Sequence, residues 1–165
     1  MTFPAPLIHN TTVQKEWIDY NGHMNVAFYV YAFDRGYDFF MDAIGLDQTY
    51  RDATGGTIFT AEAHIAYKGE VKLGDPLRIE AQLIAFDRKR IRTFQRMYHA
   101  TENYLAATVE WMSLYVDLNQ RKVSEMPDLV HENLTTMLES HKALPQPEEL
   151  GRGIAMPTKK AALTG

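Results

Sequence analysis

The residues best suited to chemistry stand in one short run, Asp19-Tyr20-Asn21-Gly22-His23-Met24-Asn25, directly ahead of a long apolar segment. If that segment is a helix, its first amides have no acceptors within the helix and together carry about half a positive charge. Such amides polarise a carbonyl and hold the oxyanion that develops when it is attacked. A carboxylate beside them, Asp19, can serve as general base for water or as the nucleophile itself. The same residues also permit a structural reading, in which Asp19 and Asn25 cap the helix, Asn21-Gly22 makes a tight turn and His23 packs against its neighbours. Residue types alone leave both open.

A second group lies in Phe59-Thr60-Ala61-Glu62-Ala63-His64-Ile65-Ala66-Tyr67, where period-two spacing puts Thr60, Glu62 and His64 on one strand face. That row is either a solvated polar face or an acidic patch suited to a cationic group, with aromatic rings such as Tyr67 nearby for cation-π contact. Cations gather at Lys68, Lys72 and Asp87-Arg88-Lys89-Arg90. These are either solvated charges at strand ends or, for Lys68, Arg88 and Arg90, a landing site for a phosphorylated ligand.

Several other chemistries lack their residues. The chain has no cysteine, so it offers neither thiolate nucleophile nor disulfide, and a reducing cytoplasm is the expected location. The three serines, Ser113, Ser124 and Ser140, lie outside any G-x-S-x-G elbow. The six histidines show no local metal-ligand spacing, and no phosphate-binding glycine loop occurs, so no metal or organic cofactor is expected. A net charge of -4 gives no basic stripe for nucleic acid. The first residues lack a signal-peptide pattern, and no apolar run approaches the ~20 residues of a membrane span. A soluble globular chain is expected from 45% hydrophobic and 23% charged residues.

The elements that must position these groups follow from periodicity. Val26, Tyr29, Val30, Phe33, Tyr37, Phe40, Met41 and Ile44 recur at spacings of three and four, which predicts a helix from Val26 to Ile44, capped by Asn25 and stopped by Gly45. A first strand is expected over Leu7 to Val13. After a turn-rich stretch around Asp52-Ala53-Thr54-Gly55-Gly56, four more are expected, over Ile58 to Tyr67, Pro76 to Phe86, Ile91 to Ala100 and Tyr104 to Asp117. In the second of these four, Leu77, Ile79, Ala81, Leu83 and Ala85 are expected on one face. The short connections favour antiparallel hairpins. The class is α+β, with a curved antiparallel sheet covering a long central helix. Pro127 to His141 fits a short amphipathic helix, and the tail from about Pro145 reads as loosely ordered or partner-bound. The expected division is a domain over residues 1–125 and an extension over residues 126–165.

At these residues the sequence resembles the hotdog-fold thioesterases of the 4-hydroxybenzoyl-CoA thioesterase group, whose hallmark is Asp-x-x-Gly-[His/Ile/Val] just before the central helix, here Asp19-Tyr20-Asn21-Gly22-His23. The likeness spans most of Leu7 to Leu118. It is stronger still to the betainyl-CoA thioesterases of bacterial carnitine breakdown. There it runs through Trp17-Ile18-Asp19-Tyr20-Asn21-Gly22-His23-Met24, Glu62-Ala63-His64-Ile65, Arg96-Met97-Tyr98-His99-Ala100 and Glu110-Trp111-Met112.

The resemblance implies acyl-CoA hydrolysis, with Asp19 as the carboxylate, the amide near Val26 as the carbonyl polariser, and Asn25 and His23 as orienting residues. It further implies a dimer, or a tetramer of paired dimers, in which Trp17, Thr60, Glu62, His64, Tyr67, Lys68, Arg88 and Arg90 contact substrate. A hotdog hydratase or dehydratase, and a noncatalytic acyl-CoA binding module, are the competing readings. Unlike the family core, which ends soon after its last strand, this chain continues well past Leu118.

Overall fold

In the computed structural model, which describes residues 2–156, an antiparallel sheet curves around one long helix. The strands are β1 (Leu7–Thr12), β2 (Gly56–Tyr67), β3 (Pro76–Phe86), β4 (Arg90–His99), β5 (Leu105–Asp117) and the short β6 (Lys122–Val123). The order across the sheet is β1-β3-β4-β5-β2, with β6 pairing β5. The helices are α1 (Val26–Ala43), α2 (Gln48–Thr54) and α3 (Asp128–His141). This is the expected α+β hotdog arrangement, and none of the helices is long and apolar enough to cross a membrane.

Helix α1 forms where the apolar stripe predicts it. Asn25 caps it by accepting the Ala27 amide at 3.0 Å. Tyr29, Ala32, Phe33, Tyr37 and Phe40 face the sheet, each large side chain contributing about 1.5–3 kcal/mol of burial. The helix approaches the strands closely at Gly36, where an added Cβ would stand 2.9 Å from Cγ2 of Ile79. Any larger residue there would push α1 off its floor of Ile79, Met97, Val109 and Trp111.

Three local features depart from the simple pattern. The stretch expected to be turns contains α2, capped by Asp47 and ended by Gly55 at φ +73°. A register shift between Leu83 and Ala85 reverses the facing of β3, so Ala85 is exposed rather than continuing the buried row. A second shift, between Thr60 and Glu62 on β2, has consequences for the site.

The C-terminal part joins the same body. Helix α3 lies on β3 beyond the end of β1 and buries Val130, Leu134, Met137 and His141. Leu144 to Gly151 then cross the outer face of the sheet. The Pro145 carbonyl accepts from Gln82 at 3.4 Å, Glu149 meets Lys68 and Thr108, and the Gly151 amide donates to Glu110 at 2.7 Å. Phe94, an outer-face residue, is only 2% exposed beneath this strap. The rest of the tail expected to be loose, residues 157–165, lies outside the described residues.

Candidate active site

The Asp19 loop is a closed turn. Ile18 and Met24 bridge as antiparallel neighbours, and the Asp19 amide donates to the His23 carbonyl at 3.1 Å. The Gly22 amide returns to the Asp19 carbonyl at 3.0 Å, with Gly22 at φ +83°, a conformation glycine adopts without a Cβ penalty. The loop is pinned from outside by Met24 N–H to the Val71 carbonyl at 2.8 Å and by Asn25 N–H to the Trp17 carbonyl at 2.9 Å.

Within this frame the Asp19 carboxylate has two partners. The Asn21 amide donates to Oδ1 at 2.8 Å, and Asn25 Nδ2 approaches Oδ2 at 3.4 Å. Asn25 therefore ties the carboxylate to the N-terminus of α1 with one end of its amide while capping the helix with the other. The cap takes the Ala27 amide, and the Phe28 amide turns to the Asn25 carbonyl at 2.9 Å. The Val26 N–H has no acceptor among the described residues, and Val26 is 58% exposed. A half-buried carboxylate and a free helix-terminal amide thus share one end of α1.

Tyrosines wall this end. The Tyr67 hydroxyl lies 3.4 Å from the Val26 carbonyl, and its ring meets Tyr29 edge-on at 5.3 Å. The Tyr29 hydroxyl donates to the Gly69 carbonyl at 3.0 Å. Burial pushes both phenols above their ordinary value, so each keeps its proton at neutral pH. Trp17 is buried, its ring stacked on Phe28 at 5.9 Å and edge-on to Tyr31 at 5.7 Å, so it supports the loop through packing and through its carbonyl. His23 has its Nε2 3.8 Å from Glu70 and its Nδ1 3.4 Å from the Met24 carbonyl.

The other sequence candidates are dispersed. The shift on β2 pairs Thr60 with Ser113, on the side facing α1, but Glu62 with Met112 and His64 with Glu110, on the outer side. The three residues expected to share a face do not, because the extra residue at Ala61 reverses the alternation. Glu62 and His64 border a cavity of about 290 Å³ beside the Arg92–Glu110 pair. Lys68, next to Tyr67, is paired with Glu149 of the strap.

Arg88 is bound to Asp128 at 2.6 Å, and Arg90 to Asp87. Both sit at the β3–β4 hairpin. Arg90 and Phe59 are each registered with Leu114, while Tyr67 is registered with Ala107. The hairpin is therefore some eight residues, roughly 25 Å, along the sheet from Tyr67. Within one chain Arg88 and Arg90 do not join the Asp19 site. Sequence reasoning missed the Glu149–Lys68 contact, which no local pattern marks.

The family model for the thioesterase-like superfamily matches residues 13–134. A betainyl-CoA thioesterase of Pseudomonas aeruginosa is 38% identical over 149 residues, covering 90% of this chain and 94% of the relative. A hypothetical protein of Staphylococcus aureus, solved in complex with CoA, superposes with a TM-score of 0.88 at 28% identity over 95% of this chain and 99% of that one. A 1,4-dihydroxy-2-naphthoyl-CoA thioesterase of Synechocystis shares the fold alone, with a TM-score of 0.71 at 14% identity, covering 79% of this chain and 96% of that one.

Proposed function

The chain belongs to the thioesterase-like superfamily, and we propose that it hydrolyses a small cationic acyl-CoA, betainyl-CoA or a near analogue, using Asp19 as its catalytic carboxylate. The observation that carries this reading is the pairing at the N-terminus of α1: a carboxylate held by Asn21 and Asn25 beside an amide, Val26, with no acceptor among the described residues.

The thioester carbonyl oxygen takes the Val26 N–H, where the helix dipole favours developing negative charge. Asp19 removes a proton from water as its oxygen bonds to the carbonyl carbon. The tetrahedral oxyanion then collapses and the C–S bond breaks, with the proton held on Asp19 passing to the departing CoA sulfur. Direct attack by Asp19 would instead give an anhydride that water opens. In either course the carboxylate is regenerated and the products are free acid and CoA. The substrate's chemistry fits a cytoplasmic enzyme.

The cationic acyl group is supported by the 38% identical relative of that activity and by the tyrosine wall beside Val26, since a quaternary ammonium over an aromatic face gains about 0.5–2 kcal/mol. Within one chain Glu62 is on the outer side of β2, so a counter-charge from it would have to reach the site from a second subunit. Strand β2 is a sheet edge, and it exposes Phe59 and Tyr67, each at 47%, as well as Ala61 and Ala63. Pairing two such edges gives a dimer, which can pair again into a tetramer.

The test is CoA release from betainyl-, acetyl-, butyryl-, benzoyl- and palmitoyl-CoA, with 3,3-dimethylbutyryl-CoA as the uncharged isostere of betainyl-CoA. Betainyl-CoA is expected to exceed its isostere in kcat/KM, and Asp19→Asn is expected to lower kcat about 10²–10⁴-fold with the fold intact. Equal rates for the isosteres would remove the cationic preference. Undiminished turnover in Asp19→Asn would remove the proposed site.

A further inference from the structure

The outer face of the sheet, away from α1, holds a larger cavity of about 570 Å³ between the strands and the strap at 144–149. Its volume lies within the range of small-molecule sites. Phe94, Tyr98 and Leu105 contribute apolar surface from the strands, Pro6 and Pro145 from the segments that cross them.

The cations on this face are almost all matched. Arg78 pairs with Glu80 at 2.9 Å, Arg92 with Glu110 at 2.5 Å, and Lys68 with Glu149. Arg96 alone among these cations has no carboxylate partner among the described residues. Its guanidinium rests 5.3 Å from the centre of the Phe94 ring and donates one hydrogen bond, to Gln82 Oε1 at 3.3 Å. Glu148 lines the same cavity, on its exposed side. A half-buried guanidinium with most of its donors uncommitted, set in a partly apolar cavity, has the fork geometry that binds a carboxylate through two parallel hydrogen bonds.

We propose that this cavity binds a monocarboxylate with an apolar body, its carboxylate on Arg96 and its body against Phe94, Tyr98 and the strap. A single negative charge fits the single unmatched cation. A phosphate dianion would add a second charge facing Glu80, Glu148 and Glu149. The site is separate from Asp19, which lies at the N-terminus of α1 on the other side of the sheet. The proposal does not depend on the identity of the acyl-CoA.

Isothermal titration of the full chain with sodium octanoate tests this, with octan-1-ol as the uncharged control and saturating CoA present to occupy the thioesterase site. Octanoate is expected to bind, and octanol to bind at least about tenfold more weakly. Arg96→Gln is expected to weaken octanoate about tenfold or more, the scale of hydrogen bonds to a charged group. Arg96→Lys, which keeps the charge and loses the fork, falls between, and Glu148→Gln binds at least as tightly as the parent. No octanoate binding, equal binding by octanol, equal binding by a folded Arg96→Gln, or octanoate binding seen only when CoA is left out would each overturn the assignment.

Discussion

His141 and Leu83 are joined by a hydrogen bond that exists only while the imidazole is neutral: the Leu83 amide donates to Nδ1 at 2.9 Å, and Nε2 donates to the Pro4 carbonyl at 2.9 Å. One side chain from α3 thus satisfies the open edge of β3, past the point where β1 pairs, and ties down the N-terminal segment. His141 is 2% exposed, and burial holds it below its ordinary value against the opposing pull of the Pro4 carbonyl.

The unfolded chain therefore takes up a proton at His141 at a higher pH than the folded one does. This contribution to stability is full above the ordinary histidine value of 6.5 and is lost as pH falls through the lower folded value. Urea unfolding is expected to show lower stability at pH 5.5 than at pH 7.5. In His141→Phe the pH-dependent part shrinks, and stability at pH 7.5 drops by about 1–3 kcal/mol as the buried Leu83 amide loses its acceptor, while the exposed Pro4 carbonyl turns to water. A parallel pH profile in the variant would show that other groups govern the acid loss.

Much of this architecture is legible in the residues alone, for identifiable reasons. The three-and-four spacing of α1 and the period-two rows of β3 to β5 reflect burial on one face, which composition records directly. The Asp19 turn is legible because Gly22 and the capping Asn25 are tied to backbone geometry. The register shifts on β2 and β3 are not, since Ala61 and Ile84 are ordinary strand residues and nothing local marks either as extra. The strap is equally hidden. Its position depends on Lys68, Thr108 and Glu110, all more than 35 residues earlier in the chain.

Asn25 serves the helix and the carboxylate with different atoms, so the two roles separate. Asn25→Ser keeps a good cap and loses the Nδ2 contact with Asp19, so kcat is expected to fall while stability stays within ~0.5 kcal/mol. Asn25→Ala loses both and adds about 1 kcal/mol of destabilisation. Measuring kcat beside the urea midpoint distinguishes these outcomes. Unchanged kcat in Asn25→Ser would mean that Asp19 is positioned by the Asn21 amide alone.

Glu149 anchors the strap. Burial pushes its carboxyl upward, but the hydrogen bonds from Lys68 and Thr108 outweigh burial and hold it below the usual glutamate range. A depressed carboxylate contributes stability above its ordinary value of 4.5, lost as pH falls through the folded value. Glu149→Gln is expected to speed amide exchange at Leu150 to Arg152 at neutral pH while lowering global stability by no more than about 1 kcal/mol. Parent-level protection in the variant would assign the anchoring to Glu110 and Pro145.

The face reversal at Ala61 fixes how Glu62 can act. In one chain its side chain is on the outer side of β2, some five residues or roughly 17 Å along the strand from Tyr67 and the Val26 amide. If Glu62 balances a cationic acyl group, it does so across the β2 edge, at the Asp19 of a second copy. Glu62→Gln is then expected to lower kcat/KM for betainyl-CoA about tenfold, or ~1.4 kcal/mol, while leaving butyryl-CoA nearly unchanged. Mixing Glu62→Gln subunits with Asp19→Asn subunits gives a decisive arrangement. Each hybrid dimer holds one site with Asp19 from the first subunit and Glu62 from the second, and one site with neither. Hybrids are expected to regain the parent preference for betainyl-CoA at about half the parent activity per dimer. If the mixture retains the weakened preference of Glu62→Gln alone, Glu62 does not act between subunits, and recognition of the cation falls to the aromatic residues at the head of α1.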